Sequence, residues 1–281
     1  MEPTVIVVVL IAALCHATWN FLVKRSDDPY RGMTAVVAGH IPFGAAAVLY
    51  APAVAAAAWP YVLVGALLHT GYQVFLLNSY RFGDLSQVYP MARGSAPLIT
   101  AIVSILLLGE RYAPLQVAAL CIIAAGIISL AFTSSRKASG AGSNSALLAI
   151  ITAGFISSYS VVDGMGARVG GTALGFYGSL TIINGVIFTI IIARTRPGTV
   201  ARVVTRHIPA TLFGGGISFL AYALVIWSFT KAPIALVASL RETSVIFALL
   251  LGVLVLKERL TWLKGLAVLL TLAGVILLRI P

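Results

Sequence analysis

Acidic residues are scarce. Only 8 Asp and Glu stand against 19 Lys and Arg in 281 residues, and charged residues of both signs make up 10% of the chain. Soluble domains carry about a quarter charged residues, so a water-facing surface of ordinary extent is excluded. Cysteine is nearly absent: Cys15 and Cys121 sit alone inside apolar stretches, which excludes a disulfide framework and a thiolate zinc site. The four histidines, His16, His40, His69 and His207, share no metal-ligand spacing, so neither a metal nor another cofactor is expected. No nucleophile–base pair and no phosphate-binding glycine loop can be assembled, so enzymatic activity is not expected. A formal net charge of +11 would point to nucleic acid in a soluble protein. Here the basic residues fall in short gaps between apolar runs, where they read as membrane flanks rather than as a nucleic-acid surface.

What the chain does contain is apolar sequence, 60% of all residues. About 20 apolar residues cross the hydrocarbon core as a helix, and ten such runs can be marked: 4–23, 32–51, 61–80, 85–108 and 114–132, then 145–166, 171–193, 208–230, 233–256 and 262–279. The opening "MEPT" lacks a basic segment, and Lys24 and Arg25 follow the first run rather than precede it, so that run is expected to be a retained helix and not a signal peptide. Two connections are longer. "SSRKASGAGSNS" reads as a linker in the middle of the chain, and 194–207 joins the seventh and eighth spans. The expected domains are 1–133, a linker at 134–144, and 145–281.

Sliding the chain by 148 residues lays the fourth and fifth spans on the ninth and tenth. Arg93 meets Arg241, Ser95 meets Thr243, Glu110 meets Glu258, Arg111 meets Arg259 and Gly126 meets Gly274. A shift of 140 brings Trp19 onto Tyr159 and Asn20 onto Ser160. Five spans per copy is an odd number, so two copies would cross the membrane in opposite senses, an arrangement recurrent among transporters. The expected fold is all-α: an integral membrane protein of ten transmembrane helices built as two inverted five-helix repeats.

Two apolar helices ending in "GER" and "KER", each followed by a helix with a late glycine, together with the opening "LCHATWNFLVKR", resemble the EamA-type drug/metabolite transporter superfamily across essentially the whole chain. The resemblance implies a ten-helix permease moving small metabolites, often outward, by alternating access. Similar members export amino acids and related molecules, and a subset is associated with phosphonate use.

Lys and Arg concentrate in cytoplasmic loops. The loops following odd-numbered spans, counted with Lys264 at the start of the tenth span, hold thirteen of the nineteen basic residues, and the opposite face with both tails, counted with Arg279 at the end of that span, holds four. That bias predicts a multi-pass protein of the cell (inner) membrane with both termini outside, whereas the resemblance implies cytoplasmic termini. The remaining two, Arg93 and Arg241, lie within spans.

A charge at membrane depth costs on the order of 2.5–3.5 kcal/mol and so marks a cavity or a partner. Arg93 lies eight residues into its span, about 12 Å deep, and Arg241 matches it from the other face. Their planar forks suit carboxylate or phosphonate oxygens; pairing with an internal acid, Asp163 or Glu242, is the structural alternative. Arg241 and Glu242 are adjacent and so are expected to point to different sides of one helix. His16, Trp19 and Asn20 share a helix face, as do His69, Tyr72 and Gln73. Tyr89 precedes Arg93 by four residues, and Tyr159 precedes Asp163 by four. These side chains are the candidate substrate-binding set; Asp163 and Glu242 are also proton-coupling candidates. Glu110 and Glu258 are read as turn-tying carboxylates. Pro42, Pro90 and Pro97 are expected to interrupt spans.

The function expected is secondary transport of a small polar or zwitterionic metabolite such as an amino acid, with protons as a possible coupling ion, by a monomer or homodimer. A phosphonate-related or lipid-linked substrate, or a non-transporting membrane sensor or scaffold, is the alternative.

Overall fold

A computed structural model describes residues 1–24, 28–79, 85–129, 143–206, 208–257 and 261–278. Every regular element among them is helical. In hydrocarbon a backbone must satisfy its own hydrogen bonds, and a helix does so within a single segment. The helices are α1 (Pro3–Lys24), α2 (Pro29–Tyr50), α3 (Trp59–Ser79), α4 (Leu85–Leu108), α5 (Pro114–Ser129), α6 (Ser143–Val169), α7 (Ala173–Thr195), α8 (Thr199–Arg206), α9 (Ile208–Phe229), α10 (Ile234–Arg241), α11 (Ser244–Leu256) and α12 (Trp262–Leu277). Among the described residues, eight stretches are long and apolar enough to cross a membrane, and α5 and α12 are shorter apolar helices.

Three features depart from the expectations. The ninth run is two helices, α10 and α11, joined by a tight turn at Glu242 and Thr243. Across the turn the amides of Val245 and Ile246 bond three residues back, to Glu242 and Thr243, the tighter 3-10 pattern. Conversely, α2 runs through Pro42 and α4 through Pro90 and Pro97 without interruption, because neighbouring helices in a membrane tolerate the lost amide bond. The 194–207 connection also holds a helix, α8, whose polar sequence hid it. The central linker up to residue 142, with Glu258, Arg259 and His207, lies outside the described residues.

Helix ends follow local chemistry. The Asp28 side chain accepts from the Tyr30 amide ahead of Pro29, and Thr172 and Thr261 accept from Gly175 and Lys264. Gly109 ends α4 at φ 65°, and Lys257, 148 residues on, ends α11 at φ 54°. Both take the left-handed closing conformation, natural for glycine and strained for lysine.

Helix α2 packs on α7 and α9, α4 on α6, α1 on α9, and α5 on α12. Small residues set the closest approaches. A Cβ on Gly39 would collide with the Thr211 carbonyl oxygen, and one on Gly215 would lie 2.5 Å from Gly39 Cα. A Cβ on Gly126 would meet Thr271 and Ala267, and one on Gly274 would meet Ile123 and Ala119. The largest core cluster draws on α1, α3, α6, α7, α9 and α10, and these helices, joined by α4, surround the polar centre.

Candidate functional site

Four formally charged side chains lie in the middle of the bundle, almost sealed from the outside. Arg93 and Arg241 are each 2% exposed, and Glu242 and Asp163 are 0% exposed. Arg93 Nε lies 2.7 Å from Glu242 Oε2, and Arg241 Nη2 donates to Glu242 Oε1 at 3.2 Å. One carboxylate therefore receives two guanidiniums. The adjacency of Arg241 and Glu242 does not separate them: the tight turn begins here, and the long arginine arm brings its guanidinium back to the neighbouring carboxylate. Arg93 Nη2 also donates to Ser244 Oγ at 3.3 Å and lies 3.0 Å from His16 Nε2.

His16 is approached from its other side by Trp19, whose Nε1 is 3.3 Å from Nδ1. A neutral imidazole has one lone pair to offer, so the two donors compete and only one can be satisfied at a time. The shorter contact, with Arg93, is the stronger.

Asp163, on α6, makes a second centre. His69 Nε2 and the Tyr222 hydroxyl each lie 2.8 Å from Asp163 Oδ2. Oδ1 is buried without a hydrogen-bond partner among the described residues, facing the backbone where a Cβ on Gly65 would come within 2.6 Å. Rings enclose this carboxylate. His69 stacks on Tyr159 at 4.3 Å, Tyr72 meets Tyr159 edge-on at 5.7 Å, and Tyr177 lies 5.2 Å from Tyr222. Arg241 Cζ sits 5.7 Å from the Tyr222 ring centroid, so Tyr222 joins the two centres. Arg241 Nε, like Asp163 Oδ1, has no hydrogen-bond partner among the described residues.

The structure thus gathers Arg93, Arg241, His16, Trp19, His69, Tyr72, Tyr159, Asp163 and Glu242. It turns two candidates aside. Asn20 donates to the His16 carbonyl of its own helix. Gln73 exchanges hydrogen bonds with Asn184, which also donates to Thr70; this buried amide pair clamps α3 to α7. The Tyr89 side chain lies outside the described residues. Tyr222, Tyr177, Ser244 and Asn184 were not singled out from sequence. Tyr222 carried a usable signal, since an offset of 150 places it on Tyr72.

One end of the bundle is tied by a separate cluster. Arg168, at the end of α6, donates to the Phe229 and Ala232 carbonyls and to Glu110 Oε1. Glu110 also accepts from the Tyr112 hydroxyl; burial and this carboxylate push the phenol up from its ordinary pKa. Glu110 is accordingly the turn-tying carboxylate expected of it.

Apolar helices long enough to cross a bilayer, packed around a buried charged centre, are those of a multi-pass membrane protein. The sequence pattern described as the EamA-like transporter family matches residues 3–132 and 143–280. The chain belongs to that family, whose members are transporters and not enzymes. A solved structure described only as "Crystal structure of protein" superposes with a TM-score of 0.78 at 19% identity, covering 99% of this chain and 97% of that one; at this identity the likeness speaks for the fold alone. No curated protein matches the chain.

Proposed function

We propose that the protein is a ten-helix carrier of a small zwitterionic metabolite such as an amino acid, working by alternating access between two inverted five-helix repeats, 1–133 and 145–281, joined by the 134–144 linker. The observation that carries the substrate class is the division of charge in the centre. Arg93 and Arg241 share the single carboxylate Glu242, which leaves one end formally positive, with a spare N–H on Arg241. Asp163 gives the other end a carboxylate with a spare oxygen, walled by tyrosine rings. A substrate carboxylate meets guanidinium forks at the first end. A substrate ammonium meets a carboxylate and aromatic faces at the second. A substrate of one sign would satisfy only one end and leave the other buried without its counter-charge.

The repeat reading is supported by reciprocal packing. Gly126 of α5 faces residues 267 and 271 of α12, and Gly274 of α12 faces 119 and 123 of α5, so each contact is the other moved by 148 positions. Helix α2 on α7 is likewise a pairing of equivalent spans. In this state the central side chains bond to one another, and the Arg168–Glu110 cluster ties one end of the bundle. The other state would open that end. Asp163 is the better candidate for a coupling proton, because it contacts an imidazole while Glu242 is held by two arginines. The basic-loop bias supports a cell (inner) membrane location with both termini outside.

Counterflow in proteoliposomes with amino acids, aminophosphonates, nucleosides and lipophilic cations tests the reading. Exchange is expected for zwitterions. Exchange of cations alone would remove the role given to the arginines, and no exchange at all would favour a sensor or scaffold.

A further inference from the structure

A cleft of about 330 Å³ opens where α2 begins and α3 and α7 end, away from the central site. Its walls are mixed: Val74 and Ile191 are apolar and partly exposed, while Tyr30, Asn78, Thr195 and Arg196 bring polar groups. Three ends of membrane helices meet here, which sets the cleft at the level where hydrocarbon gives way to headgroups. The Arg196 guanidinium lies over the Tyr30 ring, 4.1 Å from its centroid. The ring contact holds the guanidinium in place while Arg196 stays exposed, and it has no carboxylate within ion-pair distance among the described residues.

The surroundings are basic. Arg194 and Arg202 stand close in sequence, and the acid beside Tyr30, Asp28, is engaged by Arg31 at 3.4 Å. Helix α8 follows directly, with Val203 buried and Arg202 exposed, the pattern of a segment lying in the interface plane.

We propose that this cleft is a binding site for the headgroup of an anionic phospholipid. The phosphate is held by the Arg196 fork beside the start of α2, and the glycerol and first methylenes lie on Val74 and Ile191. A soluble anion would use the arginine and leave the apolar walls bare; an anionic lipid uses both. The volume is at the lower end of ligand-sized cavities, about 300–1,000 Å³, enough for a headgroup and not for whole acyl chains. The site stands independently of the carrier reading.

The test uses the full chain in phosphatidylcholine nanodiscs with and without phosphatidylglycerol, read by thermal melting and by lipid retention in native mass spectrometry. Phosphatidylglycerol is expected to raise the melting temperature of the wild type. Arg196→Gln and the cleft-filling Asn78→Trp are expected to lose most of that rise, and to retain phosphatidylglycerol about five-fold less well, the effect of one arginine near an anionic headgroup. Both should melt like the wild type in phosphatidylcholine alone, which separates a binding defect from a folding one. Arg202→Gln, whose guanidinium does not line the cleft, should keep the rise. An undiminished rise in the two cleft variants would overturn the proposal. An equal loss in Arg202→Gln would assign the effect to diffuse attraction and overturn it too. A rise produced by glycerol phosphate without the lipid would replace it with a soluble-anion site.

Discussion

Glu242 receives two guanidiniums, whereas Asp163 receives none among the described residues, and the chemistry of the centre follows from that asymmetry. Removing one partner of a buried ion pair costs about 3–5 kcal/mol when the remaining charge stays buried alone. Glu242→Ala strands two buried guanidiniums and is expected to lower stability by at least that order in a thermal melt, whereas Arg93→Ala leaves Glu242 paired with Arg241 and should cost less. Arg93→Lys keeps the charge but not the planar fork; it should fold and insert like the wild type while losing most zwitterion exchange. Equal exchange by wild type and Arg93→Lys would show that the fork is not used. Arg93, Arg241 and Asp163 were legible as residues, since a charge inside a twenty-residue apolar run is costly enough to need a reason. Their pairings were not. Glu242 lies 149 positions from Arg93, and neither spacing nor propensity links them. Tyr222 escaped notice because a tyrosine in an apolar run is also the ordinary composition of a membrane helix.

Among the elements, the close crossings and the helix ends carry the sharpest expectations. Gly39→Ala places a methyl against the backbone of α9, where no side chain can turn aside. Overpacking of this kind costs about 1–3 kcal/mol, and the melt should register it. Gly154→Ala, with nothing within 4 Å of the added Cβ, should be neutral or stabilising by up to about 1 kcal/mol. If both substitutions behave alike, helix α2 does not approach α9 as described. Lys257 holds a left-handed conformation that costs a residue with a Cβ about 1–2 kcal/mol, so Lys257→Gly should raise the melting midpoint. A fall would mean that the lysine side chain contributes more than its backbone loses. The long runs were readable because hydrocarbon imposes length and polarity together. The turn at Glu242 and Thr243 was not readable, since it contains neither proline nor glycine. The interior prolines misled for the converse reason: packed neighbours let a helix continue through them.

For the whole molecule, family membership and the helical architecture come from apolar runs and paired motifs visible in the chain, while the closing of the centre on itself comes only from packing. Orientation rests on the distribution of thirteen basic residues against four. A reporter fused at the C-terminus is expected to be active only as an external fusion, and strong cytoplasmic activity would reverse the assignment. In the proposed carrier, two separated charges in the substrate are read by two separated centres in the protein. Counterflow of one amino acid against its amine-only and acid-only analogues, in wild type and Asp163→Asn at equal incorporation, tests this reading most directly. The wild type is expected to exchange the intact zwitterion far better than either analogue, and Asp163→Asn to lose the zwitterion's advantage over the acid-only analogue. Undiminished preference for the zwitterion in Asp163→Asn would contradict it.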